Sequence, residues 1–504
     1  MPGMGIPELP VPDGLVLRPF RGVRFAVEDP AKVTSPPYDL ISDTDVDALL
    51  RLHPNNVVRL ILPCSHPTNS SPATRTTEPT TQATDATVQA PDLTAGTTDR
   101  GAAAAGPAAV PLETRYADAR DTLRAWLEAG ILVPDEEPAL YVYEQSGPDV
   151  LQRGLIGDVG LADPGQHIIL PHEDVMPGPV ADRLALMSTT QANLEPIFLL
   201  YEGGDGATTR LVDEVATKRH PVVTAHTEDG LTHRLWAITD KTQIARINAD
   251  LHDRQALIAD GHHRYATYRV LQRQERATRR HHQQQDTHQP PRTDHPKHDD
   301  TEHPEQGGPA PAGGLAAPWD FGLALLVDST AYPPDLKAIH RVIPGLPLAE
   351  ATAKARGAWQ VHEFDDLNEG LAALESAQEP AFLLADESGA HLLTNPDPVQ
   401  LGGAMPPDHS ERWNSLNTSV LTEFVLPKVW GMRDDEQTVW IVHHDTHAAV
   451  RLATRTGGTA VLLKPLAVDD VLAVAAGGER VPRKSTSFGP KPRTGLVLRT
   501  FAID

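Results

Sequence analysis

The chain has 504 residues with a single cysteine, Cys64, and a formal net charge of −24 at pH 7. So acidic a surface repels nucleic acid and anionic membranes, and one cysteine excludes an intramolecular disulfide, so we expect a cytoplasmic protein with neither partner. We also expect neither a signal peptide nor a membrane helix, because the sequence lacks a basic start followed by an apolar run and any stretch of about 18 apolar residues.

Two low-complexity stretches interrupt the pattern of a globular protein. Residues 65–112 are rich in Thr, Pro, Ala and Ser, and residues 276–317 are crowded with Gln, His, Pro and Asp. Neither composition offers enough apolar side chains to offset the entropy lost on ordering, so both stretches are predicted to be disordered. They divide the chain into an N-terminal α/β part, residues 15–63 and 114–275, and a C-terminal α/β part, residues 318–504.

Helix-like and strand-like segments alternate in both parts, which predicts a mixed α/β (α+β) fold. Apolar residues at helical spacing predict a helix over residues 113–129, and Gly130 is well placed to end it. No glycine fingerprint of a Rossmann or P-loop type is present, so a nucleotide site would need another design. A hairpin is predicted from residues 139–143 and 155–161, further strands at 196–201, 234–238, 321–327, 381–384 and 439–442, and further helices near 244–251 and 416–424.

The strongest functional signal is a junction between a predicted strand and a predicted helix. Asp260 and Gly261 supply a turn that tolerates unusual backbone angles. The imidazoles of His262 and His263 and the guanidinium of Arg264 follow, where helix N–H groups and the positive end of the helix dipole gather. The pattern predicts a loop that binds phosphate.

The residues around this junction, 259–265 (ADGHHRY), resemble the signature of the bacterial and archaeal family called domain of unknown function 1015. Further segments resemble that family in the same order along the chain. They are residues 17–24 with 35–39, residues 170–173 with 182–184, residues 192–198, and residues 484–486 through 495–496. The resemblance covers most of the chain outside the two low-complexity stretches.

The histidine loop also resembles the Asp-Gly-His-His-Arg loop of archaeal free-serine kinases in the ParB/sulfiredoxin superfamily, where it handles nucleotide phosphates. This resemblance implies a ParB/sulfiredoxin-like nucleotide-binding core and an ATP- or ADP-dependent kinase that converts free L-serine to O-phosphoserine. Two alternatives stay open, namely a non-catalytic nucleotide-binding regulator and a metal-dependent hydrolase. Turnover with serine distinguishes the kinase from the regulator, and stoichiometric zinc would favour the hydrolase.

Phosphoryl transfer to an alcohol needs a carboxylate that orients or deprotonates the hydroxyl. Glu173 is the first choice for this base, with its neighbour His172 and with Asp260 as further catalytic candidates. An exposed loop glutamate is the alternative interpretation of Glu173. Arg183 is predicted to reach a phosphate, and the alternative for it is an ion pair with Asp182 at the start of a helix.

A basic run near the C-terminal end of the sequence departs from the acidity of the whole chain. Lys484, Ser485 and Thr486 lie in it, together with Arg480, Arg483, Lys491 and Arg493. Such a run suits an anionic ligand such as ATP, so we predict that these three residues bind nucleotide, with a mobile basic tail as the alternative.

A second histidine cluster, at residues 442–447, follows a predicted strand. Adjacent histidines on a strand point to opposite faces, so no permanent metal site is predicted, and Mg²⁺ would be held largely by nucleotide phosphates. The sequence does not indicate an oligomeric state. The candidate residues are expected to converge on one cleft; they are His172, Glu173, Arg183, Asp260, His262, His263 and Arg264.

Overall fold

The computed structural model describes four stretches of the chain, residues 12–63, 112–286, 317–435 and 437–503. The predicted insertion, apart from its last residue Leu112, and most of the predicted linker lie outside the described residues. The predicted boundary at residue 276 is placed too early, because the helix that begins at His262 continues through Asp286. Its later residues are largely Gln and Arg, which have a high helix propensity.

Helix ends follow local capping chemistry. Ser42 and Asp45 form a reciprocal capping box at the first helix, and Asp240 caps another by accepting two backbone N–H groups. The predicted helix at 113–129 is confirmed within one residue. The α-helices are α1 (Asp43–Leu52), α2 (Val58–Ile61), α3 (Leu112–Glu128), α4 (Pro177–Thr190), α5 (Ala207–Lys218), α6 (Lys241–Leu251), α7 (His262–Asp286), α8 (Leu348–Ala355), α9 (Leu367–Ser376), α10 (Pro398–Ala404), α11 (Glu411–Ser415), α12 (Asn417–Val420), α13 (Thr446–Arg455) and α14 (Val468–Ala476).

The helix predicted near 416–424 is confirmed, and beyond α12 it continues as a π-helix, Leu421–Val429, which contains Pro427. Because proline has no N–H to donate, the regular ladder of hydrogen bonds cannot pass through it. Short 3₁₀ turns occur at Pro30–Val33, Tyr38–Leu40, Pro164–Gln166 and Pro318–Asp320.

The predicted strands are also present, and the predicted hairpin is formed by β4 and β5 with a shorter turn than expected. The strands are β1 (Leu17–Arg18), β2 (Val23–Phe25), β3 (Leu132–Pro134), β4 (Leu140–Ser146), β5 (Leu151–Gly160), β6 (Ile169–Leu170), β7 (Ala192–Asn193), β8 (Ile197–Tyr201), β9 (Val223–His226), β10 (Thr232–Ile238), β11 (Ala256–Asp260), β12 (Phe321–Asp328), β13 (Asp335–Lys337), β14 (Ile339–Ile343), β15 (Gln360–Phe364), β16 (Phe382–Asp386), β17 (Gly389–Thr394), β18 (Trp440–His443), β19 (Thr459–Leu462), β20 (Ser487–Gly489) and β21 (Arg499–Thr500). The mixed α and β class is confirmed.

Within the described residues the first sheet has nine strands, in the order β6-β11-β8-β12-β5-β4-β10-β9, with β1 also paired to β5. Strand β12 lies beyond the second low-complexity stretch, yet it is inserted between β5, to which it is antiparallel, and β8, to which it is parallel. Its residues are almost all buried, as expected for a central strand covered on both faces. The sheet therefore crosses the predicted boundary between the N-terminal and C-terminal parts.

The second sheet has six antiparallel strands among the described residues, in the order β15-β17-β16-β19-β14-β18. Successive side chains of β16 enter opposite cores, because neighbouring residues of a strand face opposite sides. Phe382 and Leu384 pack with α8 and the π-helix, whereas Leu383 and Ala385 pack with α9 and α13.

The C-terminal segment packs back against the first sheet. Its strands form two separate two-stranded sheets, β20 with β13 and β21 with β7. Arg499 and Asp158 are fully buried and form an ion pair with Nε and Oδ2 2.6 Å apart, and Arg499 also donates to Asn193 Oδ1 at 2.9 Å. No helix in the described ranges is both long and apolar enough to cross a membrane.

Candidate functional site

The strand-to-helix junction predicted from the sequence is confirmed. Strand β11 ends at Asp260, and α7 begins at His262. Between them Gly261 has a φ of 94°, in the left-handed region that favours glycine. The first intrahelical bond runs from Tyr265 N to Gly261 O at 2.9 Å, so the N–H groups of the three residues before Tyr265 have no acceptor within the helix.

A side chain at Gly261 would be crowded. A Cβ atom there would lie 3.0 Å from Ile197 Cγ2 and 3.2 Å from Arg264 Nε. We therefore expect Gly261→Ala to lower the free energy of unfolding by about 1–3 kcal/mol, because a strained φ and a close contact add. Gly178→Ala is the matched control, since it meets nothing within 4 Å. Equal denaturant midpoints for the two variants would contradict the strained junction.

Arg264 is turned into the protein, although the sequence assigned it to phosphate. Its two terminal nitrogens donate to Pro196 O and to Asp260 Oδ2, each at 2.6 Å, and only 5% of the residue is exposed. Burial disfavours the cation, but the carboxylates of Glu195 and Asp260 outweigh burial and raise the pKa of Arg264. We correct the phosphate-binding assignment, because a phosphate would have to displace these partners.

Arg183 is likewise corrected. It lies in the middle of α4 and donates to Asp182 Oδ2 and, at 2.8 Å, to Ile61 O, and its guanidinium lies 4.5 Å from the ring centroid of Tyr38. The ion pair with Asp182 is therefore present, but not at a helix start as the alternative interpretation had it. With 7% of the residue exposed, Arg183 is a structural cation behind the Tyr38 ring.

His172 and His262 form a buried pair. The backbone N–H of His172 donates to His262 Nε2 at 3.2 Å, and the two rings meet edge to face with centroids 4.5 Å apart. Burial, followed by a neighbouring imidazole that would repel a second positive charge and by Arg480, lowers the pKa of His262 to about 3 and holds the pKa of His172 well below its usual range. Both imidazoles are therefore neutral at pH 7, and Nε2 of His262 is an acceptor, which leaves it no proton to donate to phosphate from that atom.

These two histidines make stability sensitive to acid. Their folded pKa values are lowered, so the unfolded chain binds protons that the folded chain does not. This contribution to the free energy of unfolding is fully present above the unfolded pKa of about 6.5. Below that pH, each histidine's contribution falls by about 1.4 kcal/mol per pH unit until the folded pKa is reached. Between pH 6 and 4, His262→Gln should show a flatter dependence of unfolding free energy on pH, while exposed His220→Gln should keep the wild-type slope. A slope in His262→Gln equal to that of the wild type would contradict the buried neutral state.

Glu173, the predicted base, lies beside Thr486 of the C-terminal segment. Thr486 Oγ1 is 2.8 Å from His172 Nε2 and donates to Glu173 Oε1 at 2.9 Å. The Thr486 hydroxyl has one hydrogen to donate, and ionised Glu173 accepts that hydrogen bond. Thr486 Oγ1 must therefore accept from His172, which carries its proton on Nε2. Glu173 is half-buried, and burial raises the pKa of its carboxyl. The charge of Asp260 raises this pKa further, whereas Thr486 and Lys484 lower it without cancelling the increase.

Lys484 is exposed, in a left-handed conformation with φ of 53°. Its carbonyl accepts a hydrogen bond from Arg341 at 2.9 Å, so the second sheet holds this loop against the first. Lys484 has no ion-pair partner among the described residues, and its charge lowers the pKa of His263 and of His443. Ser485 is buried, and its hydroxyl donates to Pro482 O at 2.5 Å. We therefore correct its assignment as a nucleotide-binding residue, because its hydroxyl stabilises the loop.

Two carboxylates joined by one ammonium group through ion pairs also form part of this site. Lys491 Nζ lies 2.5 Å from Asp39 Oδ2 and 2.6 Å from Asp260 Oδ1. Burial opposes the cation, yet the two carboxylates outweigh it and raise the pKa of Lys491. Asp39 and Lys491 were missed as site residues. Each lies in a segment singled out from the sequence for another reason, but no sequence pattern pairs two residues so distant along the chain.

The two other histidines of the region face the same space. His263 Nε2 accepts from Met176 N at 3.1 Å, and its pKa is lowered by burial and by Lys484. His443, at the end of β18, has its pKa lowered to about 4, first by burial and then by Lys484. In the described part of the chain no three His, Cys, Asp or Glu side chains are grouped closely enough to hold a metal ion.

One contiguous region thus unites most of the predicted residues. Hydrogen bonds or ion pairs connect His172 with His262, Glu173 with Thr486, and Asp260 with Lys491, while the charges of Lys484 and Asp260 act on both Glu173 and His263. Arg183 and Arg264 lie behind it, around Tyr38. The groups left facing the site are Asp39, Glu173, Asp260, His263, His443, Lys484, Thr486 and Lys491.

A family profile described as protein of unknown function (DUF1015) matches residues 17–89 and 100–419, well over half of the chain. The chain belongs to the DUF1015 family. The resemblance seen in the ADGHHRY segment is therefore confirmed. A comparison of this DUF1015 protein with curated proteins returned no match.

Solved structures give a distant likeness to this DUF1015 protein. A free serine kinase variant in complex with AMP is 11% identical, with a TM-score of 0.33 over 70% of this chain and 94% of that chain. SbnI with a C-terminal truncation from Staphylococcus aureus is 11% identical, with a TM-score of 0.32 over 69% and 88%. A conserved hypothetical protein from Pyrococcus furiosus is 11% identical, with a TM-score of 0.32 over 70% and 97%. At these scores the likeness carries no argument about activity.

Proposed function

We propose that this protein is a nucleotide-dependent phosphotransferase that acts on a small hydroxyl compound, with free L-serine as the first acceptor to test. The observation that carries the proposal is the position of Glu173. It is a carboxylate of raised pKa next to Thr486 and to Lys484, which has no ion-pair partner in the described part of the chain, and it is close to the start of α7. A base and phosphate-binding groups are thus within one region.

In the reaction the acceptor hydroxyl gives its proton to ionised Glu173. A bond forms between the hydroxyl oxygen and the terminal phosphorus, the bond from phosphorus to the bridging oxygen breaks, and its electron pair leaves with the shortened nucleotide. A raised pKa makes Glu173 a stronger base once ionised. Asp260 is tied to Arg264 and Lys491, so we assign it to positioning Lys491 and not to proton transfer.

The nucleotide phosphates would lie at the N-terminus of α7. The N–H groups of residues 262–264 have no helical acceptor, and Lys484 contributes positive charge nearby. Lys491 occupies the space between Asp39 and Asp260, so Mg²⁺ would arrive on the phosphates and neutralise their charge there. The cation assigned to phosphate is therefore Lys484 instead of the two arginines, while Lys491 stays paired with its two carboxylates.

The test is to incubate the full chain with L-serine, Mg²⁺ and either ATP or ADP, and to measure O-phosphoserine and the shortened nucleotide by mass spectrometry. We expect the two products in equal amounts. Nucleotide binding without product would favour the regulator instead. Hydrolysis of substrates without nucleotide, together with stoichiometric zinc, would favour the hydrolase.

A further inference from the structure

Glu173 also lines a cavity of about 270 Å³ that does not include Thr486 or Lys484. Its apolar lining comes from β11 and α7 and includes Ile258 and Tyr265. Three arginines lie around it: Arg269, Arg273 and Arg480.

The positive charges of these arginines lie close together, and a bound anion would reduce the repulsion between them. Arg269 and Arg273 are one turn apart on α7, where like charges repel. Burial, and then the charge of Arg273, lower the pKa of Arg269 to about 10, and burial also lowers the pKa of Arg480.

The three arginines are not equally available. Arg269 already pairs with Asp163, and Arg480 donates to Pro171 O at 2.6 Å. Arg273 is exposed and has no ion-pair partner within the described ranges, so it has free donors to offer a ligand.

The cavity carries charges of both signs, which suits a small zwitterion. Asp174 and Glu173 line the same cavity as the arginines, and the charge of Asp174 partly offsets the effect of burial on the pKa of Arg480. A ligand that carries an ammonium group beside one carboxylate can pair with both kinds of side chain.

We propose that this cavity binds the carboxylate of the phosphate acceptor, through Arg273 and Arg480, and so selects small hydroxy amino acids. The inference rests on the proposed function, because it takes the hydroxyl of the acceptor to lie at Glu173. The ligand then spans from Glu173 to the arginines, with its ammonium group near Asp174. Selection by carboxylate explains why a base and an arginine cluster share one cavity.

Calorimetric titration of the full chain tests the cavity without any turnover. L-serine and L-alanine both carry the carboxylate and should bind, whereas ethanolamine, which lacks it, should bind at least about tenfold more weakly. Arg273→Gln should weaken L-serine binding on the order of tenfold to a hundredfold and abolish the preference over ethanolamine. The control is Arg124→Gln, an exposed arginine on α3, which should bind as the wild type does. Equal binding of serine and ethanolamine, unchanged binding in Arg273→Gln, or no binding of serine would overturn the proposal.

Kinetics separate this inference from the proposed function. If Arg273→Gln raises KM for L-serine while kcat and the KM for nucleotide stay unchanged, both stand. If phosphoserine forms with the same KM in wild type and variant, the cavity assignment fails and the kinase stands. If serine binding depends on Arg273 but no phosphoserine forms, the kinase fails and the binding site stands.

Discussion

Replacing Glu173 with glutamine should lower turnover by about two to four orders of magnitude, the range that a positioned general base contributes. Glutamine keeps an oxygen that can accept the Thr486 hydroxyl, so the local hydrogen bond survives. Because burial raises the pKa of Glu173, the ionised side chain is unfavourable in the folded state, and its neutral analogue should not lower the melting temperature at pH 7.

The pH profile gives a second readout of the same variant. Wild-type turnover should fall on the acidic side with a midpoint above the ordinary glutamate pKa of about 4.3, because Glu173 must be ionised to accept a proton. The residual turnover of Glu173→Gln should lack this limb. Glu136→Gln, at an exposed position, should behave as the wild type in both assays. Full turnover in Glu173→Gln would remove Glu173 from the mechanism and leave Asp39 as the carboxylate to examine next.

Replacing Arg264 with methionine should lower the free energy of unfolding by about 3–5 kcal/mol, the loss typical when one partner of a buried ion pair is removed. Asp260 and Glu195 would both lose a nearby cation, and Pro196 O would lose its donor. Arg264→Lys keeps the charge, but one ammonium cannot easily reproduce both hydrogen bonds, so we expect an intermediate loss.

Thermal melting with and without ATP decides between the structural role and the phosphate role of Arg264. In the structural role both variants melt at lower temperature than the wild type, and activity falls with stability. A wild-type melting temperature without ATP, combined with a smaller ATP-induced shift, would instead restore the phosphate role, because a weaker ligand stabilises the folded state less. Arg246→Met, at an exposed arginine of α6, controls for loss of charge and should melt like the wild type.

Local elements of the fold followed from the sequence, because they depend on local patterns. The helix at 113–129, the hairpin at 139–161 and the junction at Asp260 are each encoded by side-chain periodicity or by turn residues next to one another. The insertion of β12 between β5 and β8 could not be predicted, because a buried apolar strand fits any central position of a sheet.

The candidate site shows the same division. The residue types of the DGHHR loop correctly marked the place where β11 meets α7. Whether a guanidinium faces a ligand or the protein depends on carboxylates and carbonyls brought by other segments, such as Pro196 O for Arg264 and Ile61 O for Arg183. For the same reason the bridge from Asp39 through Lys491 was not predictable, since it joins the two ends of the chain.

The return of the C-terminal segment to the first sheet has a consequence for biosynthesis. Thr486, Lys491 and Arg499 reach partners on segments that leave the ribosome several hundred codons earlier. Among the described residues, a nascent chain that has completed most of the first sheet therefore has only Arg18 to pair with Asp158 and only Arg264 to pair with Asp260, until Arg499 and Lys491 emerge. Premature stop codons shortly before codon 484 should thus yield a product that is both inactive and prone to proteolysis, even though it retains most of the sheet.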